Sequence, residues 1–257
     1  MTENENIYKS VFDSPGFSAD LHLSNEELAL FRECIESQYL ENIKELDKTS
    51  SDTLSKAGIE NYHQSSHLLD HSIVWTKKKR CLPKKSVSKI KCTNFMERLK
   101  DIFGNFKISN IVYDQTVVKD SEEIYWRLVR PESESDVGAL HADKWFHEVL
   151  SANYIPKGVT SLKVWIPIYC EPGKNGLLIV PDSNKREWEY TFTTNSLGHQ
   201  KPVILDTPIS ILVNTPPGNM IIFSDRTLHG GAPNRGLKTR VSAEITLLLE
   251  SPKKSYY

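Results

Sequence analysis

Apolar side chains recur at helical spacing in the first hundred residues. A capping box, Ser24-Asn25-Glu26-Glu27, precedes a helical stripe and predicts the start of a helix. The stripe consists of Leu28, Phe31, Ile35, Tyr39, Ile43 and Leu46. A second helix is expected over 96–103, ending at Gly104 and capped by Thr93. The polar patch Thr49–Asp52 predicts a loop between the two helices.

Beyond residue 110 the hydrophobic pattern becomes alternating and is interrupted by Pro and Gly turns. The expected strands are 124–130, 162–169, 177–181, 203–213, 219–223 and 239–249. This pattern predicts a mainly β fold with N-terminal helices, and the number of strands fits a double-stranded β-helix, the cupin-like jelly roll. We expect one domain over 1–257, with a jelly-roll core at 110–250 and a mainly helical elaboration at 1–109.

Composition agrees with one globular domain. The chain has 257 residues, is 39% hydrophobic and has a formal net charge of −1, so it can bury one core. This neutrality gives no electrostatic reason to expect a nucleic-acid partner. No apolar run is long enough for a membrane span, and the polar N-terminus is unlike a signal peptide, so a cytoplasmic protein is expected. The four cysteines lack CxxC spacing, which indicates reduced, structural thiols.

Candidate chemistry begins with His141 and Asp143. Residues i and i+2 of a β-strand project to the same face, so both side chains can bind one ion. His229 follows the apolar run 220–223 after a turn, which places an imidazole at a strand end. Two imidazoles and one carboxylate form the facial ligand set of non-haem Fe(II) oxygenases, which leaves positions open for substrate and oxygen. The bland alternative makes His141 a surface histidine of the loop after 131–135.

Arg240 opens the last predicted strand. Alternation places Arg240, Ser242 and Glu244 on one face of that strand and their apolar neighbours on the other. An arginine that faces a barrel interior is unfavourable unless an anion meets it, because its guanidinium loses hydration. A bidentate carboxylate would supply that anion.

These residues resemble the iron(II)/2-oxoglutarate-dependent dioxygenases, and within them the phytanoyl-CoA dioxygenase-like family, over roughly 110–248. The resemblance implies that His141, Asp143 and His229 bind iron. It also implies that Arg240 holds the far carboxylate of 2-oxoglutarate. The whole chain would then be a single dioxygenase domain, with the helical part on the substrate side.

The stretch between the ligands carries further elements of the resemblance. Residues 164–168, followed by 173–184, match the family's strand, Asn-Gly turn and Pro-x-Ser segment. Trp165 matches the aromatic that lines the co-substrate pocket, although a strand tryptophan also packs well in any core. Two residues depart from the family pattern, Asn219 where an Asp is common and Asn184 where a His is frequent.

The resemblance implies Fe(II), 2-oxoglutarate and O2 as cofactor and co-substrates, with release of succinate and CO2. Because related halogenases lack a carboxylate at the position of Asp143, its presence indicates hydroxylation. Ser242 is a candidate hydrogen-bond partner of the co-substrate carboxylate, and a locally bonded hydroxyl is its alternative role.

Two other function classes remain open on sequence grounds. A non-catalytic cupin-like protein that binds a small ligand or sugar would need no intact ligand set. A metal-dependent isomerase or hydrolase on a cupin-like scaffold would have no evident use for an inward-facing Arg240.

The substrate is expected to contact segments outside the strands, namely 50–92, 131–160 and 185–202. Their polar and aromatic composition favours a small polar or amphipathic metabolite. Trp145 and Phe146 are expected on a mobile loop beside the open coordination positions, with 131–138 and 150–160 as its flexible parts. The pattern does not define an oligomeric state.

Two further motifs each have a functional and a structural interpretation. His63, His67 and His71 recur every four residues and would form a second metal site, or line the substrate entrance, if they shared one helix face. The basic stretch Lys77–Lys91 is either a solvated surface or an attractor for an anionic substrate.

Overall fold

Helices occupy most of the chain before residue 105, as the apolar spacing predicts. The computed structural model describes residues 2–113, 116–149, 155, 159–194 and 200–250, without the side chains of 147–149 and 200–201. The helices are α1 (Glu3–Phe12), α2 (Asn25–Ile43), α3 (Lys48–Ala57), α4 (Tyr62–Ser65), α5 (His71–Val74), α6 (Lys77–Arg80), α7 (Lys84–Lys91), α8 (Asn94–Phe103) and α9 (Asp143–Val149). Within the described residues, none of these helices has the length and apolarity that a membrane crossing requires.

Among the described residues, the strands form two facing sheets and two hairpins, and every pairing is antiparallel. The large sheet contains β1 (Phe17–Ser18), β2 (Phe106–Ile108), β5 (Ile124–Val129), β6 (Thr160–Tyr169), β11 (Ile221–Ser224) and β13 (Arg240–Leu249). The small sheet has the order β10 (Ile211–Val213), β7 (Leu177–Ile179) and β12 (His229–Gly231). The hairpins pair β3 (Asn110–Tyr113) with β4 (Thr116–Glu122), and β8 (Tyr190–Thr194) with β9 (Gln200–Ile204). The predicted mainly β jelly roll with N-terminal helices is confirmed.

The two faces of the large sheet have different neighbours. Val241, Ala243 and Ile245 pack into the main hydrophobic core, which the helices complete with residues such as Phe31 and Phe95. Trp165 and Phe223 point the other way, into a smaller cluster shared with the small sheet. The alternation predicted for the last strand is therefore confirmed, and Arg240, Ser242 and Glu244 lie on the inner face between the sheets.

Three local predictions are corrected by the structure. Residues 49–52 belong to α3, because the Asp47 side chain accepts from Ser50 N (3.1 Å) and caps that helix. The expected strand 203–213 is divided between β9 and β10, since Pro208 in the intervening segment cannot donate to a strand ladder. Thr93 occupies the N-cap of α8, but its hydroxyl donates backward to Ile90 O (2.7 Å) instead of capping the helix.

The boundary expected at residue 110 also shifts, because two N-terminal segments join the large sheet. Strand β1 pairs with β11, with Phe17 opposite Phe223. Strand β2 pairs with the end of β13, with Ile108 opposite Leu247. The jelly roll therefore includes residues from the part of the chain that was expected to be helical.

Glu27 connects α2 to α8 from a buried position. Its carboxylate accepts from Ser24 N (2.8 Å) in the predicted capping box, which is confirmed. The same carboxylate accepts from Phe95 N (2.5 Å) and Arg98 Nη2 (2.6 Å). One side chain thus accepts hydrogen bonds from donors at the start of two helices. Removing it would leave buried donors unpaired.

We expect Glu27→Ala to lower the free energy of unfolding by roughly 2–4 kcal/mol, the cost of stranding these donors. Equilibrium chemical denaturation measures this change. Glu41→Ala, an exposed change on the same helix, should stay within about 0.5 kcal/mol of the parent protein. Equal stability of the two variants would contradict the connecting role of Glu27.

Candidate metal centre and co-substrate pocket

Three separate elements bring His141, Asp143 and His229 together. His141 forms an isolated antiparallel bridge with His229, through two backbone hydrogen bonds of 2.9 Å. Asp143 is the first residue of α9, so the prediction that the His-x-Asp pair lies on a β-strand is wrong. The side chains nevertheless converge, with Asp143 Oδ1 at 3.7 Å from Nε2 of each imidazole. All three ligand atoms lie within 4.8 Å of one another, which fits a single metal ion.

Both imidazoles are oriented by their second nitrogen. His141 Nδ1 bonds Ala139 O at 2.8 Å, and His229 Nδ1 bonds Thr227 O at 3.0 Å. A carbonyl partner fixes Nδ1 as the protonated nitrogen and leaves Nε2 as the ligand. Burial lowers the pKa of His141 to about 4 and also lowers the pKa of His229, so both rings are neutral at pH 7, as a metal requires.

The bridge between the two histidines depends on Gly230. A Cβ at this position would lie 3.2 Å from Gly138 O and 3.3 Å from Ala139 O. The segment that carries His141 therefore lies so close to β12 that a Cβ at position 230 would require it to move away by a few tenths of an ångström.

Lys163 holds the metal-binding carboxylate from behind. Its Nζ lies 3.3 Å from Asp143 Oδ2 and donates to Thr246 Oγ1 at 2.9 Å. One oxygen of Asp143 thus faces the histidines while the other faces an ammonium group. Sequence reasoning missed this residue, although its position two residues before Trp165 places it on the same inner face.

Arg240 lies on β13, 2% exposed, and is not saturated by its protein contacts. Its Nη1 donates to Gly176 O, while its Nε has no hydrogen-bond partner among the described residues. The fully buried hydroxyl of Ser242, two residues along the same face, is likewise unpartnered within that set. Burial lowers the pKa of Arg240 to about 10, so it remains charged at pH 7. An arginine and a hydroxyl that lack buried partners fit a carboxylate.

A buried amide network positions the carbonyl that holds Arg240. Asn175 Nδ2 donates to Asn234 Oδ1 (2.7 Å), and Asn234 Nδ2 donates to Val129 O (2.8 Å). This network ties the predicted Asn-Gly turn to β5 and directs Gly176 O toward the guanidinium. The predicted turn therefore contributes the carbonyl that accepts from Arg240.

Trp165 serves the core and the pocket together. It is 2% exposed and packs with Ile221 and Phe223, as expected for a strand tryptophan in a core. Its ring centroid also lies 5.8 Å from Arg240 Cζ, within cation–π range. The Phe223 ring lies 4.4 Å from the His229 ring, so the same apolar cluster contacts both parts of the site.

The expected position of Trp145 and Phe146 on a mobile loop is wrong. Trp145 and Phe146 lie on α9, not on a loop, and Trp145 is buried and stacked on Tyr190 at 4.3 Å. Phe146 contacts the His141 ring edge-on at 5.2 Å. Most of the second flexible part, 150–154 and 156–158, lies outside the described residues.

The three spaced histidines do not form a second metal site within the described residues. His63 Nδ1 contacts Thr239 Oγ1 (3.1 Å), and His71 Nδ1 contacts Tyr62 Oη (3.0 Å). His67 is exposed on a short 3-10 turn between them. Within the described part of the chain, the single group with metal-ligand geometry is the His141 cluster.

The two departures from the family pattern have local structural roles. Asn219 Nδ2 donates to Ala19 O (2.8 Å), and Asn184 Nδ2 donates to Phe12 O (3.1 Å). Both asparagines thus hold the N-terminal segment against the jelly roll.

Comparison with solved structures found several that align with this chain. The apo form of ThoJ, a non-heme monooxygenase, aligns with 11% identity and a TM-score of 0.54 over 97% of this chain and 79% of that chain. EvdMO1 aligns with 12% identity and a TM-score of 0.55 over 96% of this chain and 50% of that chain, so this chain spans about half of EvdMO1. EvdO2 from Micromonospora carbonacea var. aurantiaca, in complex with 2-oxoglutarate, aligns with 14% identity and a TM-score of 0.49, covering 68% and 69%.

Sequence comparison gives the family. No curated protein matches the chain significantly. The family model for phytanoyl-CoA dioxygenase (PhyH) matches residues 33–242, which include the three clustered residues and Arg240. The expected oxygenase family and its cofactors, iron and 2-oxoglutarate, agree with this match and with the His–Asp–His cluster. The chain belongs to the phytanoyl-CoA dioxygenase family.

Proposed function

We propose that the protein is an Fe(II)- and 2-oxoglutarate-dependent dioxygenase that hydroxylates a small polar or amphipathic metabolite and releases succinate and CO2. The carrying observation is the pairing of a complete His141–Asp143–His229 cluster with a buried, under-bonded Arg240 on one inner face. We assign the whole chain to one dioxygenase domain, with the helical part on the substrate side.

Each residue has a defined role in this proposal. His141 and His229 present Nε2 to Fe(II), and Asp143 adds one carboxylate oxygen while Lys163 holds the other. Arg240 and Ser242 bind the far carboxylate of 2-oxoglutarate, which would satisfy Nε and the hydroxyl. Trp165 and Phe223 exclude water from the space between the metal-binding residues and Arg240. When bound, iron and 2-oxoglutarate supply the electrons that activate O2 toward a C–H bond.

Asp143 favours hydroxylation over halogenation, because a halide requires the position that this carboxylate would occupy. A non-catalytic ligand-binding role leaves the complete ligand set and the under-bonded Arg240 without a use. These two features are the reasons to prefer an enzyme.

Anaerobic addition of Fe(II) and 2-oxoglutarate should produce the weak visible charge-transfer colour of a metal-chelated keto acid. Asp143→Ala should abolish this colour and turnover, since two imidazoles form an incomplete ligand set. Absorption spectroscopy and succinate release measure the two effects. Asp52→Ala, an exposed change on α3, should behave as the parent, and a colourless, metal-replete parent protein would refute the assignment.

Arg240→Gln should bind iron normally and raise the 2-oxoglutarate requirement by roughly ten- to a hundredfold, because a charge-assisted contact of about 1.5–3 kcal/mol is lost. Titration of 2-oxoglutarate against the iron-loaded protein gives the value. Arg235→Gln removes an exposed guanidinium nearby in sequence and should change nothing. If Arg240→Gln requires no more 2-oxoglutarate than the parent protein, Arg240 does not bind the co-substrate carboxylate.

Lys163→Met should weaken Fe(II) binding by about ten- to a hundredfold, the usual effect of losing a partner behind a metal ligand. Competition with a chromophoric chelator measures the affinity. Lys107→Met is the control, since Lys107 is 76% exposed on β2. If both variants retain full iron affinity, Lys163 has no positioning role.

A further inference from the structure

Tyr125 is surrounded by cations on the inner side of β5. Arg80 Cζ lies 4.9 Å from the ring centroid, Arg127 Cζ 5.1 Å and Lys77 Nζ 5.9 Å. Arg80 is the last residue of α6, and Cys81 next to it bridges to Tyr125, so the helical part of the chain brings this guanidinium to the sheet. An aromatic face attracts cations, but it does not neutralise their charge.

The acidic residues of this cluster do not balance its cations. Lys77 pairs with Glu123 at 2.7 Å, and Arg127 Nε donates to Glu244 at 2.7 Å. Arg80 has no carboxylate partner within the described residues, and its Nε is buried without a hydrogen bond there. Burial lowers the pKa of Arg80, and the opposing effect of the Glu244 carboxylate does not offset it. Among the described residues, Arg80 is therefore the one cation around Tyr125 that is not paired with a carboxylate.

The cluster is a neighbour of the proposed reaction site in the strand register. On β13, Ser242 lies opposite Arg127 and Glu244 lies opposite Tyr125. The same Glu244 lies opposite Trp165 on β6. The carboxylates of Glu244 and Asp143 both act to raise the pKa of Arg127, which places its guanidinium within the field of the metal-binding carboxylate.

The lysines that follow belong to the surface. Lys89 pairs with Glu33 at 2.8 Å and Lys91 pairs with Glu122 at 2.6 Å, and their side chains are 45% and 42% exposed. Within the basic stretch, Lys89 and Lys91 thus form surface ion pairs, whereas Arg80 lies against Tyr125.

We propose that Arg80, together with Arg127, binds an anionic group of the substrate, namely a carboxylate, sulfate or phosphate. Arg127 is paired with Glu244, whereas Arg80 Nε has no hydrogen-bond partner among the described residues. Guanidinium groups have the planar donor geometry that such oxyanions accept. The substrate is then an acidic metabolite, held by its anion while the remainder extends toward the metal ligands. This inference rests on the proposed function, because it places the anion beside the proposed metal site. Binding of an anion by Arg80 and Arg127 does not itself depend on that function.

The test uses inorganic phosphate and acetate as probes, with acetamide as the neutral equivalent of acetate. Each is titrated calorimetrically into protein loaded anaerobically with Fe(II) and saturated with 2-oxoglutarate, so that Arg240 already has its carboxylate. The variants are Arg80→Gln, the conservative Arg80→Lys, and Lys78→Gln, which removes an exposed charge from the same helix.

We expect the parent protein and Lys78→Gln to bind an anionic probe and not acetamide. Arg80→Gln should bind it roughly tenfold or more weakly, with Arg80→Lys intermediate. An anion that binds the parent no better than acetamide, or binds Arg80→Gln as well as the parent, overturns the proposal. If Arg80→Gln fails to fold, Arg80→Lys and the parent titrations decide.

Failure of the proposed function is distinguishable in the same experiment. If 2-oxoglutarate does not bind while phosphate binding still depends on Arg80 and not on Arg240, the anion site survives and the oxygenase assignment fails. If 2-oxoglutarate binds and gives the charge-transfer colour without anion binding, the oxygenase assignment survives and the anion site fails.

Discussion

Burial of the Arg240 guanidinium on the inner face of a β-sheet is the constraint on which the rest of the site depends. A charge removed from water is costly unless hydrogen bonds and an opposite charge replace its hydration. The protein supplies only part of that replacement, through the Gly176 carbonyl and the Trp165 ring. The Asn175–Asn234 hydrogen bond lies beside this carbonyl and helps to hold it in place. The fold therefore maintains a polar environment that a dicarboxylate would complete, and the metal ligands lie on elements adjacent to the strands that carry it.

Much of the fold could be predicted because its signals are local. The capping box of α2 and the alternation of β13 each depend on residues a few positions apart, and both are confirmed. The failures arise where distant contacts decide. The polar sequence of residues 49–52 predicts a loop. In the structure these residues are helical, because Asp47 caps the helix and Leu54 is buried. Strand pairing likewise recruits β1 and β2 from a region whose composition is mostly helical.

The candidate site divides in the same way. Its ligands and Arg240 could be found because residue type, order and spacing were sufficient. Lys163 and the Arg127–Glu244 pair were harder, since their relation to the site follows from register between β5, β6 and β13. A face can be predicted from a single strand, whereas a partner requires the neighbouring strand.

The two faces of the large sheet separate stability from chemistry. Its outer face packs against the helices in the main hydrophobic core, where Trp126 and Ile166 are fully buried. Because that burial is the principal source of stability, the inner face can carry Lys163 and Glu244 at positions where a second apolar layer would otherwise pack. Burial alone would raise the pKa of Glu244, yet Arg127 and Lys163 outweigh it and hold this pKa below its ordinary value. The inner charges therefore stabilise one another, and substrate selection can change there without loss of the core that holds the fold.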